Sequence, residues 1–79
     1  MNKYVATFFS HFDALLFFNK LQEENITAKL TPTPRKVSAS CGTAVVFEHD
    51  VIIQIADCEV EAIYIEYEGV FSMAWDCEE

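Results

Sequence analysis

The sequence predicts an α+β fold, a ferredoxin-like βαββαβ sandwich in which a four-stranded antiparallel sheet carries two helices on one face. Three observations predict it. The 79 residues supply one helical layer against one sheet, because a chain this short buries only roughly 60% of its unfolded surface. Short aromatic and β-branched runs alternate with stretches whose apolar residues fall at helical spacing. The order reads strand, helix, strand, strand, helix, strand, which right-handed crossovers convert into two interleaved strand-helix-strand units. Residues 1–79 are read as a single domain.

Tyr4 to Phe9 is too short for a helix and rich in aromatic and β-branched side chains, so it reads as a central first strand. Ser10 followed by Asp13 approximates a capping box and starts a helix over His11 to Glu24. Ala14, Leu15, Phe18 and Leu21 form its apolar side. Asn25 tolerates the left-handed conformation in which helices end. Ile26, Ala28 and Leu30 alternate with polar residues as a half-buried second strand, which the two Thr-Pro pairs terminate. Ala44 to Phe47 is the third strand. Polar residues Asp50, Gln54, Asp57 and Glu61 recur at helical spacing, predicting a second helix from Asp50 to about Ala62. Ile65 to Met73 is expected to be the last strand. If the sheet face away from the helices is rich in Tyr, Phe and Ile, a homodimer through that open face is the expectation.

Composition excludes several classes. No apolar run is long enough to span a bilayer, and MNKYVATFFSHFD lacks a small-residue cleavage site, so the expected address is cytoplasmic, without membrane attachment. Residues 1–47 carry five basic and three acidic side chains; residues 48–79 carry ten acidic and none basic, within a net charge of −8. That second half repels phosphate backbones, so no nucleic acid is expected as a partner. Cys41, Cys58 and Cys77 are an odd number with no paired spacing, unlike the framework of small secreted domains. Without a CxxC or HxxxH pair, no metal is expected among them and His11 and His49, and no cofactor is implied.

The segment TPTPRKVSASCGTA at 31–44 departs from the rest of the chain. A hairpin between strands two and three needs two to five residues, yet this connection is roughly a dozen long, and such loops are commonly functional. The prolines lower the entropy of holding Arg35 to Gly42 in place. Arg35 and Lys36 are the nearest cations to Cys41, Ser38 and Ser40 add donors, and Gly42 removes a shielding side chain while permitting unusual backbone angles. Cations and donors stabilise a thiolate, so the composition suits a reactive sulfur at Cys41. The alternative makes Cys41 a small buried hydrophobe at the start of strand three. Cys58 reads as buried on the second helix, Cys77 as exposed near the C-terminus, His11 as part of a helix N-terminus and His49 as part of a strand-to-helix turn.

The motif PTPRKVSASCGTA, with Pro32, Pro34, Arg35, Val37, Ser38, Cys41, Gly42 and Ala44, resembles the signature of a small-domain family named for a proposed role in carrying selenium or sulfur. The opening YVATFFSHFDALLFFNKLQEENITAKL is similar to that family's first strand, helix start and second strand, and EYEGVF to its closing strand. Asn25 stands where a glycine is expected, and SMAWDCEE at 72–79 looks like an extension. The resemblance implies a carrier rather than a turnover enzyme. Cys41 would take a persulfide sulfur or its selenium equivalent from a cysteine desulfurase or selenium-donor enzyme and pass it to an acceptor enzyme. Arg35 would stabilise the terminal anion, Ser38 and Ser40 would donate hydrogen bonds, and Gly42 would permit approach. Two other readings stand beside it: a noncatalytic small-ligand-binding or protein-interaction module, since fold does not fix function, and a thiol redox protein using Cys41 and Cys77.

Overall fold

The computed structural model describes residues 2–37, 41–49 and 60–76. Within them the fold is mixed α/β: β1 (Asn2–Phe8), α1 (His11–Glu23), β2 (Ala28–Pro32), β3 (Thr43–His49), β4 (Val60–Tyr67) and β5 (Val70–Asp76). All strands form one antiparallel sheet in the order β2-β3-β1-β4-β5. β1 is central, as its aromatic and β-branched composition requires. The first unit crosses from β1 through α1 to β2 and leaves room for β3 between them, in the manner expected of a split strand-helix-strand unit.

The expected sheet of four strands is corrected to five among the described residues. Ile65 to Met73 is not one strand, because the chain reverses at Glu68 and Gly69, leaving Tyr67 opposite Val70. Both turn residues have positive φ, 51° and 81°, as a two-residue hairpin loop matched to strand twist requires. Glycine adopts that region freely and glutamate does not. Val60 to Ala62, expected at the end of a second helix, begins β4 instead. Val60, Ala62 and Ile63 are buried and pair with β1, so sheet burial overrides the local spacing of polar residues. The remainder of that expected helix, at 50–59, lies outside the described residues, as do Cys58 and Cys77. His49 ends β3 opposite Asn2 rather than occupying a turn into a helix.

Helix α1 keeps both expected termini. Ser10 is the N-cap, its Oγ accepting from the Asp13 N–H at 3.2 Å. At the other end Asn25 sits at φ 61°, its N–H donating to the Gln22 carbonyl at 3.1 Å while the Ile26 N–H donates to the Leu21 carbonyl at 2.9 Å. This is the paired closure of a Schellman motif, completed by Ile26 packing on the cluster that contains Leu21. The buried side of the helix is Ala14, Phe17 and Leu21, with Leu15 and Phe18 only half-buried.

Phe17 stands between the sheet aromatics, 5.4 Å from Phe8 and 5.7 Å from Phe47 by ring centroid, and Phe47 lies 5.5 Å from Tyr4. Tilted and edge-on arrangements satisfy ring quadrupoles, adding about 0.5–1.5 kcal/mol per pair to the area term. Ala6, Val45, Val60 and Ile63 fill the rest of this helix-side core, with Trp75 of β5 packed against it. The opposite sheet face is also buried at Val5, Thr7, Ala44 and Ala62. Thr7 pairs with both Ala44 and Ala62, so one row across the face is made of small side chains. Its hydroxyl donates to the Ala62 carbonyl at 3.4 Å.

Among the described residues the sheet register shifts twice: the β4–β5 register skips Ala74 between Met73 and Trp75, and the β1–β4 register skips Glu61 between Val60 and Ala62. Among the described residues no helix is long and apolar enough to cross a membrane.

Candidate functional site

Cys41 lies at the neck of the long connection rather than at its tip. The β2–β3 ladder ends at Pro32 opposite Thr43, and one further residue continues the closure, the Thr33 N–H donating to the Gly42 carbonyl at 3.0 Å. The Thr33 hydroxyl donates to the Cys41 carbonyl at 3.1 Å. Two hydrogen bonds from one threonine thus fix the backbone on which the thiol is mounted. Proline 32 contributes no donor, so the ladder is held by its neighbours on either side.

The sulfur itself is seated on Thr43. Its S–H donates to the Thr43 carbonyl at 3.4 Å, and the Thr43 N–H donates to the sulfur at 3.5 Å. Deprotonation forfeits the first contact and retains the second, which offers a donor to the thiolate. Cys41 is a free cysteine and partly exposed, resting against the helix-side core. It is therefore neither a fully buried filler nor a free-swinging surface group.

Thr43 also connects the thiol to a residue 32 positions away in the sequence. His11 Nδ1 lies 2.9 Å from Thr43 Oγ1, donor and acceptor roles following the tautomer. His11 opens α1, so the N-terminal turn of the helix, the positive end of its dipole, stands beside the strand entry that carries Cys41. Asp13 in the same turn adds a negative charge.

The sequence-derived site residues are distributed unevenly around this sulfur. Arg35 is exposed on the loop. Lys36 donates to the Gly69 carbonyl at 3.2 Å. Register places Thr33 beyond the Thr7 end of β1 and Gly69 beyond its Lys3 end, so this contact carries the loop back across the sheet towards the hairpin. Val37, the loop's one large aliphatic residue, is buried apart from the helix-side cluster and anchors the segment. Ser38 and Ser40 lie outside the described residues. Gly42 does not have the unusual backbone conformation expected of it, and a Cβ there would meet nothing within 4 Å. Its lack of a side chain leaves the surface beside Cys41 open instead.

Sequence reasoning missed Thr33, Thr43 and His11. Thr33 carried a faint signal, since it stands one residue past a strand that a proline closes. His11 carried none, because only the fold brings it to Thr43. Among the described residues no group of three or more His, Cys, Asp or Glu is arranged to hold a metal ion.

A family model described as putative Se/S carrier protein-like matches residues 3–72, from β1 into β5 and across the whole Cys41 loop. The chain belongs to that family. No curated protein and no solved structure matches it. The Se/S carrier-like match ends at Ser72, so the second half of β5, with the unmatched Ala74, falls beyond it.

Proposed function

We propose that this Se/S carrier-like protein holds sulfur or selenium on Cys41 and passes it between a donor and an acceptor enzyme. The observation that carries the reading is a free, partly exposed thiol seated on Thr43 at a loop neck fixed by Thr33. A carrier needs its sulfur accessible to two partners and held in one place, and this mounting supports both needs. In the loading step the Cys41 thiolate attacks the terminal sulfur of a donor persulfide. The donor S–S bond breaks, the donor cysteine leaves as thiolate, and Cys41–S–SH forms with the proton the persulfide carried. Nothing is oxidised or reduced overall. The selenium version transfers terminal selenium in the same way.

Arg35, exposed on the loop, would offset the charge of a terminal anion, and the Thr43 N–H would be a donor to the inner sulfur. Ser38 and Ser40 are proposed as further donors. A cytoplasmic address keeps such a thiol reduced. The strand order β2-β3-β1-β4 supports a ferredoxin-like scaffold extended by β5.

Intact mass after incubation with a cysteine desulfurase and cysteine tests the proposal. A gain of one sulfur atom, removed by reductant and lost in Cys41→Ser, is expected. No gain, together with slow alkylation of Cys41, overturns it. A noncatalytic small-ligand module is the second reading, favoured by a cavity of about 380 Å³ along β5, lined by Met73, Ala74, Trp75 and Asp76.

A further inference from the structure

Thr43 serves the Cys41 sulfur with both of its backbone polar groups, the N–H donating to it at 3.5 Å and the carbonyl accepting from it at 3.4 Å. Among the described residues these are the sulfur's hydrogen bonds, so its surroundings depend on how firmly Thr43 is held. The sheet alone holds that residue loosely. Thr43 opens β3, the β1–β3 register reaches only Ala44 opposite Thr7, and the residue facing Thr43 on β2 is Pro32, which has no N–H. The two-residue alternation that places Val45 and Phe47 in the helix-side core puts the Thr43 side chain on the same face. There its Oγ1 meets His11 Nδ1 at 2.9 Å. His11 is set in turn by the first turn of α1, which Ser10 caps through the Asp13 N–H. One side-chain contact thus ties the loose strand end to the helix layer.

We infer that His11 is a positioning residue for Cys41: by holding the Thr43 side chain it keeps the Thr43 N–H on the sulfur, where that donor favours the thiolate. The inference rests on the carrier reading for the use made of the thiolate, and on the contacts alone for the positioning. An imidazole suits the task. Nδ1 accepts from the Thr43 hydroxyl in one neutral tautomer and donates to it in the other and in the imidazolium, so the contact survives either protonation state. The effect is therefore one of geometry and not of the histidine's charge. Among the described residues neither Asp13 of the same turn nor Arg35 and Lys36 of the loop are hydrogen-bonded to the sulfur, and Lys36 is engaged by Gly69.

The test follows iodoacetamide labelling of Cys41, resolved by peptide mass, at about pH 7 and about pH 10 in wild type, His11→Ala, His11→Asn and Thr43→Val. His11 is exposed, so its substitutions leave folding nearly intact, which thermal melting verifies for every variant. His11→Ala is expected to label about threefold more slowly at the lower pH, the worth of one hydrogen bond to the thiolate less the gain in nucleophilicity that accompanies its loss. At the higher pH, where an ordinary thiol is largely ionised without help, it should label no more slowly than wild type. His11→Asn, whose amide reaches where Nδ1 lies, should restore the wild-type rate, and His11→Ala should add nothing further in the Thr43→Val background. A wild-type rate for His11→Ala at the lower pH overturns the inference. So does a loss that asparagine fails to restore, which assigns the effect to charge, and so does a change equal at both pH values, which assigns it to access. Loading of the wild type from a persulfidated cysteine desulfurase is measured alongside. Loading without any effect of His11 overturns the positioning and leaves the carrier reading standing, whereas the expected labelling pattern without loading overturns the carrier reading and leaves the positioning.

Discussion

Thr33 holds Cys41 in place by donating its hydroxyl to the Cys41 carbonyl at 3.1 Å, while its own N–H closes on Gly42 at 3.0 Å. Removing only the hydroxyl separates these roles. Thr33→Val keeps the backbone bond and a β-branched side chain, and is expected to cost about 1 kcal/mol of stability. Loosening the neck increases access to the sulfur, so alkylation of Cys41 should accelerate. Iodoacetamide labelling rates, read beside urea midpoints, check this; an unchanged rate would mean that the neck does not control access.

Gly42 makes a converse prediction. With ordinary φ and open space where a Cβ would go, Gly42→Ala is expected to fold with stability within about 0.5 kcal/mol of wild type. If glycine is there to let a partner reach Cys41, transfer from a persulfidated protein falls in this variant without any loss of melting temperature. Measuring both quantities on one sample distinguishes approach from folding.

Glu68 is the least suitable residue in its turn. At φ 51° an L side chain other than Asn or Asp is strained, so Glu68→Asn is expected to stabilise the protein by about 0.5–1 kcal/mol. In a domain of this size that corresponds to a rise of several degrees in Tm, on the order of 4–8 °C per kcal/mol. Gly69→Ala, at φ 81°, should move Tm downward.

Phe17 joins the helix to two strands, through Phe8 of β1 and Phe47 of β3, and it is buried. Phe17→Ala deletes both ring contacts and opens a cavity, costing about 3–5 kcal/mol. Chemical denaturation should show most of the stability gone, whereas Phe18→Ala, at a half-buried position, should cost distinctly less.

Ser10→Ala removes the side-chain acceptor for the Asp13 N–H and is expected to cost about 0.5–2 kcal/mol. Because His11 follows it and meets Thr43, fraying of this turn should also change the alkylation rate of Cys41. Asp at position 10 restores an acceptor and should restore stability.

The first half of the chain was legible because its signals are local. Ser10 and Asp13 announced the helix start, Asn25 its end, and alternation marked β2. The stretch after Glu59 was misread for physical reasons. Val60 and Ala62 are apolar positions that suit a helix or a strand equally, and only pairing with β1 decides between them. The hairpin was hidden because Glu68 occupies a position where Asn or Asp would have been recognisable. Cys41 was visible through its setting in the loop, but its contacts with Thr33 and Thr43, and through Thr43 with His11, depend on register and on the path of α1.

Among the described residues, both lateral borders of the sheet carry a feature that discourages further pairing. On β2 the last paired residue is Pro32, which has no N–H to offer a neighbouring chain. On β5 the unmatched Ala74 bends the strand midway, so a second molecule meets a kinked border instead of a straight one. In the proposed carrier role the protein would have to stay dispersed and present its cargo to different enzymes in turn. These two devices should oppose edge-to-edge stacking when the protein is abundant, adding to the mutual repulsion of an acidic surface with a proline and one extra alanine.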